Sequence, residues 1–261
     1  MGLIDTHAHL DDNSFDLDRE QVIQDAMQAG LCAIINVGTN LVSSKESIEL
    51  SEAYKNIWAA VGLHPHDAST LNEDNWKEFV NLSKHKKVVA IGEIGLDYYR
   101  MLSTKDIQQM VFRQFIGLAK EMSLPIIVHS REAHEDTLQI LMEEQPKKGV
   151  FHAFSGDIDV LRAGLDIGLY ISITGTITFK KSNIAPLINF IPLNRLLLET
   201  DCPYLTPDPY RGKRNQPAYV QFVAKKVAEI LGLSVEKVIE INRVNACQLF
   251  GLGNSTRMTQ I

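Results

Sequence analysis

The stretch Ile4-Asp5-Thr6-His7-Ala8-His9 is a short apolar run that ends in His-x-His. Side chains two apart on an extended strand project to the same side, so the imidazoles of His7 and His9 converge and one strand offers two metal ligands. The construction recurs down the chain. Further apolar runs end in Gly62-Leu63-His64-Pro65-His66, Gly92-Glu93-Ile94-Gly95-Leu96-Asp97, Val128-His129-Ser130, Phe151-His152 and Glu199-Thr200-Asp201. Metal-competent residues, one group per hydrophobic strand end, read as a single site.

Between these runs lie amphipathic segments, and the alternation is that of βα units on a parallel sheet. The pattern predicts eight strands, at 3–8, 33–38, 58–63, 88–94, 125–129, 149–153, 169–174 and 195–200. Helices are expected at 18–30, 43–55, 73–84, 104–122, 132–145, 157–167, 183–190, 215–231 and 234–250, with Gly30, Gly149 and Gly168 where helices should stop. The fold class is α/β, a (β/α)8 TIM-type barrel with its reactive residues at the C-terminal strand ends. With no linker, low-complexity stretch or fixed-period repeat, residues 1–261 form one domain, of which 252–261 read as a frayed tail.

Bulk properties narrow the function. A chain of 261 residues that is 45% hydrophobic can bury a sizeable core. It holds neither an apolar run of roughly 20 residues nor a signal-peptide pattern, so a membrane role is excluded and the cytoplasm is expected. Cys32, Cys202 and Cys247 are far apart and form no C-x-x-C pair, which argues against a disulfide framework or a thiolate metal site. A net charge of −6 offers no global attraction to nucleic acid. Any polyanion must be drawn locally, by Arg211, Lys213 and Arg214 in the loop Tyr210–Asn215 or, more weakly, by Lys180-Lys181. No obligate protein partner is indicated.

At the strand ends, His129 and His152 would be odd core residues, since a buried imidazole needs partners. Glu93 and Asp201 follow apolar strands, where a buried carboxylate is costly unless paired or bound to a cation. Structural histidines and buried ion pairs are the competing readings; the shared position at strand ends favours metal. His66 and Asp67 stand between loop support and substrate contact, and Asp97 and Tyr98 between pocket floor and support behind it. His85, His134 and the Lys180-Lys181 pair read as surface.

Together these segments resemble the TatD family of metal-dependent deoxyribonucleases, within the amidohydrolase-type barrel superfamily. The matching motifs are Asp5–Leu10, Gly62–His66, Gly92–Tyr98, His129-Ser130-Arg131, His152–Gly156, Glu199–Leu205 and Arg211–Pro217, in order along most of the chain. The resemblance implies two divalent ions, one held by His7, His9, Glu93 and Asp201, the other by Glu93, His129 and His152, with Glu93 as the bridge. Mg or Mn suits these donors, with Zn, Co or Ni as alternatives. Two ions ~3.5–4 Å apart can clamp the attacking and leaving oxygens of a phosphodiester.

Asp201 and Glu93 are then the catalytic residues, with Asp201 as general base. The resemblance places His64 on the scissile phosphate, and Arg131, Arg211 and Asn215 are candidates for hydrogen bonds to phosphate oxygens. The expected partner is DNA, single-stranded or frayed, because a deep barrel mouth requires a flexible strand; the family suggests hydrolysis from the 3′ end. Two other readings stay open: an amidohydrolase or esterase, such as an aminoacyl-tRNA deacylase, and a non-catalytic metal-binding interaction protein.

Overall fold

The computed structural model describes residues 2–253. Eight strands run parallel and in sequence order: β1 Leu3–Ala8, β2 Leu31–Val37, β3 Ile57–Val61, β4 Val88–Asp97, β5 Ile126–Arg131, β6 Gly149–Phe151, β7 Tyr170–Ile173 and β8 Leu196–Leu198. The helices are α1 Arg19–Gln28, α2 Leu41–Ala53, α3 Glu73–Leu82, α4 Lys105–Met122, α5 His134–Glu144, α6 Ile158–Ile167, α7 Val220–Leu231 and α8 Val235–Phe250. Past the end of β8 the chain bridges Ala8 to Cys202 in parallel, with the Asp201 amide donating to the His7 carbonyl and the His9 amide to the Cys202 carbonyl, both at 2.9 Å. The result is a (β/α)8 barrel.

Strand periodicity sorts the core into two layers. Ile34, Ile126, Val128, Ile171, Leu196 and Leu198 pack with the helices. Their neighbours Ile35, Ile127, Tyr170 and Leu197 fall in a second cluster with Val89 and Val150, which Ala246, Leu249 and Phe250 of α8 join. Each fully buried side chain of this size contributes about 1.5–3 kcal/mol. Local chemistry sets the helix ends. The Asn40 and Asn72 side chains each accept two amide hydrogen bonds as N-caps of α2 and α3, and Asp157 does so for α6. Gly168, at φ +95°, closes α6 in the left-handed conformation that glycine adopts without Cβ strain.

Four expectations need correction. Residues 183–190 form a short 3-10 turn, Ala185–Phe190, with a proline at its start, so the β7–β8 connection holds no α-helix. The helix expected from 215 starts at Val220, because Asn215 is tied into the preceding loop and Pro217–Tyr219 is a separate 3-10 turn. Gly149 opens β6 rather than ending a helix; α5 ends at Glu144, with Gln145 as its left-handed cap. Leu252, expected in the frayed tail, is buried against the α8 cluster, and residues 254–261 lie outside the described residues.

Candidate metal centre

Because all eight strands run parallel, their C-terminal ends face the same way, and the strand-end residues meet on the floor of a cavity of 880 Å³. Glu93 lies at its middle, and its two oxygens look in different directions. Oε2 faces His7 Nε2 at 3.4 Å and His9 Nε2 at 3.7 Å. Oε1 faces His129 Nδ1 at 2.6 Å, His152 Nε2 at 3.5 Å and His64 Nε2 at 3.7 Å. Asp201 Oδ1 lies 3.7 Å from His7 Nε2, 3.4 Å from His9 Nε2 and 3.9 Å from His152 Nε2. Asp201 itself holds φ +56°, a left-handed conformation that is costly for a residue with a Cβ. On β4, Gly95 is required by close approach: a Cβ there would lie 1.9 Å from the His129 carbonyl oxygen.

The donor set fits divalent metal. His7 Nε2 and His9 Nε2 sit 3.1 Å apart, both aimed at the same two carboxylates. His9 Nδ1 donates to the Val37 carbonyl at 2.7 Å, which leaves the Nε2 lone pair turned into the cluster. His152 Nδ1 lies 2.9 Å from Glu199 Oε1, and His129 Nε2 lies 3.2 Å from Asp97 Oδ2. A backing carbonyl or carboxylate on the far nitrogen is what orients a ligating imidazole. Three overlapping sets have donor atoms within 4.8 Å of one another: His7, His9 and Asp201; His7, Glu93 and His152; His64, Glu93 and His129.

His64 differs from the others. Its Nδ1 accepts the His66 amide at 3.1 Å, so in the neutral ring the proton sits on Nε2, which becomes a donor rather than a lone pair. Burial, with His129 adding to it, pulls His64 down to about 3, so the ring stays neutral. Elsewhere ion pairing overcomes desolvation. Burial alone would neutralise Glu93, yet the charge of His152 and the hydrogen bonds from His129 and His7 hold it well below the usual carboxylate range. Burial also opposes charge on His9 and His152, but Asp201 and Glu93 bring His9 to about 9, and Glu199, Glu93 and Asp201 bring His152 to about 10. These imidazoles hold protons against ionised Glu93 and Asp201, the places a divalent cation takes over when it displaces those protons.

Other predicted residues divide. Arg131, exposed at the end of β5, lines the cavity and stacks on Tyr99 with its guanidinium carbon 3.8 Å from the ring centre. Arg211 is exposed and stacks on Phe179, a cavity-lining ring, at 4.2 Å. Asn215 is not available to substrate. It is fully buried, its Nδ2 donates to the Thr200 and Tyr204 carbonyls at 2.9 and 2.5 Å, and its Oδ1 accepts the Gln216 amide at 2.9 Å. Arg214 is also committed, through two hydrogen bonds to the Asp18 carboxylate at 2.8 and 2.6 Å. Tyr98 donates to Asp136 at 2.7 Å. Lys181, read as surface, forms part of the cavity wall.

Sequence reasoning missed Glu199 and Asp5. Glu199 is buried, backs His152 and accepts the Ala153 amide at 2.6 Å. Asp5 is buried below the floor and accepts the Thr200 amide at 2.9 Å, the Thr200 hydroxyl at 2.5 Å and the His7 amide at 3.3 Å. The available signal was a carboxylate within an apolar strand, the same one that exposed Glu93.

Residues 4–251 match the family described as TatD related DNase. The chain is 45% identical over 251 residues to the uncharacterized metal-dependent hydrolase YabD of Bacillus subtilis strain 168, covering 95% of this chain and 98% of that one. It is 38% identical over 259 residues to the 3′-5′ ssDNA/RNA exonuclease TatD of Pantoea ananatis, covering 96% and 100%. Among solved structures, the TatD homologue YJJV of Escherichia coli K12 superposes with a TM-score of 0.88 at 31% identity, over 96% of this chain and 98% of that one.

Proposed function

The chain belongs to the TatD-related DNase family of metal-dependent hydrolases, and from that premise we propose that it removes nucleotides from the 3′ end of single-stranded or frayed DNA. The observation that carries the reading is the split of Glu93: one oxygen turned to His7 and His9, the other to His129 and His152, on the floor of a cavity whose rim carries Arg131 and Lys181. Buried carboxylates and imidazoles beneath a cationic rim suit an anionic ester. Both the nucleic-acid substrate and the 3′ polarity draw support from the name of the Pantoea relative.

In this reading His7, His9, Glu93 and Asp201 would hold one divalent ion, and Glu93, His129 and His152 a second, with Mg or Mn suited to the mixed oxygen and imidazole donors. Bound divalent cations supply Lewis acidity and lower the pKa of water, which is the chemistry that phosphodiester hydrolysis requires. Asp201 orients the attacking water and takes its proton at a carboxylate oxygen. His64, neutral with its proton on Nε2, donates to a non-bridging phosphate oxygen, and Arg131 holds the adjacent phosphate by charge-assisted hydrogen bonds. Glu199, Asp97 and the Val37 carbonyl keep the imidazoles aimed. The cytoplasm as its place of action belongs to the same proposal, supported by three unpaired thiols.

The test is digestion of a single-stranded oligonucleotide, labelled at either end, with Mg²⁺ or Mn²⁺ and with a chelator, in parallel with an aminoacyl-ester substrate. Metal-dependent laddering from the 3′ end is expected. Ester turnover with an intact oligonucleotide would overturn the reading.

A further inference from the structure

Six of the eleven exposed large apolar side chains among the described residues lie on the side of the barrel that carries the cavity. Leu17, Val42, Tyr99, Met101, Leu102 and Tyr204 are each more than 40% exposed, and all lie in strand-to-helix connections, or at the start of the helix that follows, on the cavity's side of the barrel. Apolar groups concentrated on one face mark a surface that meets a partner. Two aromatic rings there are held by guanidinium groups: Arg131 over Tyr99 at 3.8 Å and Arg211 over Phe179 at 4.2 Å.

Each pair is built rather than incidental. Asp97, whose Oδ2 backs His129, uses Oδ1 to accept the Tyr99 and Arg100 amides at 3.0 and 2.9 Å, so one carboxylate fixes both a metal-facing imidazole and the turn that presents Tyr99. The Tyr98 amide donates to the Arg131 carbonyl at 2.9 Å, which keeps the two loops in register. On the other side, the Asp208 amide donates to Thr178 Oγ1 at 2.8 Å and ties the loop of Phe179 to the loop of Arg211. Tyr99 follows β4 and Arg131 ends β5, whereas Phe179 follows β7 and Arg211 follows β8, so the pairs stand apart around the mouth, and Arg131 and Phe179 line the cavity that holds Glu93.

Resting on the nuclease reading, we infer that Tyr99 with Arg131 and Phe179 with Arg211 are two base-stacking subsites, one on each side of the phosphate to be cut. A base lies on the ring while the guanidinium, already stacked on that ring, turns its N–H edge to the neighbouring phosphate. The occupant is a single strand with unstacked bases on both sides of the cut. A duplex cannot serve, because its bases are paired and stacked on each other. Recognition is indifferent to base identity, since every base offers a π face.

The experiment measures binding of labelled octanucleotides with uncleavable phosphorothioate linkages, one carrying thymine throughout and one abasic. Wild type, Tyr99→Ala, Phe179→Ala, Tyr99→Phe and Phe179→Tyr are compared. Wild type is expected to prefer the base-bearing strand, and each alanine variant to lose about tenfold of that preference, with the aromatic replacements restoring it. The inference is overturned if wild type shows no preference, or if the alanine variants weaken both strands equally. Neither strand is cleaved, so this outcome is independent of whether wild type digests an ordinary strand, which separately tests the nuclease reading.

Discussion

The amide of Asp201 donates to the carbonyl of His7 at 2.9 Å, so the seam that joins the last strand to the first is made by residues of the candidate metal centre. One residue earlier, Thr200 gives both its amide and its hydroxyl to Asp5. Barrel closure and the geometry of the site therefore share one set of hydrogen bonds, and a change to that set is read in stability as well as in activity.

Asp5 gives this seam a pH dependence. Burial pushes its carboxyl from 3.8 up to about 8, against the hydrogen bonds from Thr200 and His7. Between these values the folded chain holds a proton that the unfolded chain has released, so this stabilisation is full below pH 3.8 and is lost as pH rises towards 8. Asp5→Asn keeps an acceptor for Thr200 and does not titrate. In urea unfolding with chelator present, wild type is expected to lose a few kcal/mol more than the variant between pH 5 and pH 8, by the free-energy equivalent of a shift this large. Parallel pH profiles would place the titration elsewhere.

Glu93→Gln should be the most damaging single change to the centre. It preserves volume but removes the charge that faces five imidazoles at 2.6 to 3.7 Å. Turnover is expected to fall about a thousandfold or more, the scale of losing a preorganised electrostatic group, and elemental analysis should show reduced metal. Wild-type metal content in the variant would remove Glu93 from the joint ligand role.

For Asn215→Ala the expected loss is stability rather than affinity. The variant leaves the Thr200 and Tyr204 carbonyls without their donor inside the protein. The buried Thr200 carbonyl costs ~1–3 kcal/mol when left unsatisfied, and the part-buried Tyr204 carbonyl adds less. Thermal unfolding should record it, while the salt dependence of strand binding stays that of wild type. A changed salt slope with unchanged stability would return Asn215 to the substrate.

Much of this was legible because strand ends are written locally: a few apolar residues followed by His, Glu or Asp announce a strand, although β4, expected to stop at 94, runs on through Glu93 to Asp97. The structure groups His7 with His9 and Asp201, and with Glu93 and His152, while His129 meets Glu93 together with His64, a residue the sequence reading kept for phosphate. What sequence could not supply were relationships across long separations. Glu199 acts through His152, 47 positions earlier, and Asp5 through Thr200, 195 positions later. Asn215 and Arg214 sit in a loop rich in cations and polar groups, which reads as a phosphate contact until burial and Asp18 show where their hydrogen bonds go.

That loop yields the last prediction. Its three cations, Arg211, Lys213 and Arg214, are not equivalent. Arg214 is spent on Asp18 and stacks on buried Phe15 at 4.4 Å, whereas Arg211 and Lys213 are exposed and make no ion pair among the described residues. A phosphate contact releases counterions, and each one lost from a single strand flattens the plot of log affinity against log salt by ~0.7. Arg211→Ala and Lys213→Ala should each weaken binding of the uncleavable octanucleotide and flatten its slope by about that amount. Arg214→Ala should leave the slope alone and lower stability instead, since it breaks the tie between this loop and the segment before α1. Equal slope changes in all three variants would mean that the Asp18 pair opens for substrate, and no change in any would make the loop a solvated surface, leaving phosphate recognition to His64 and Arg131.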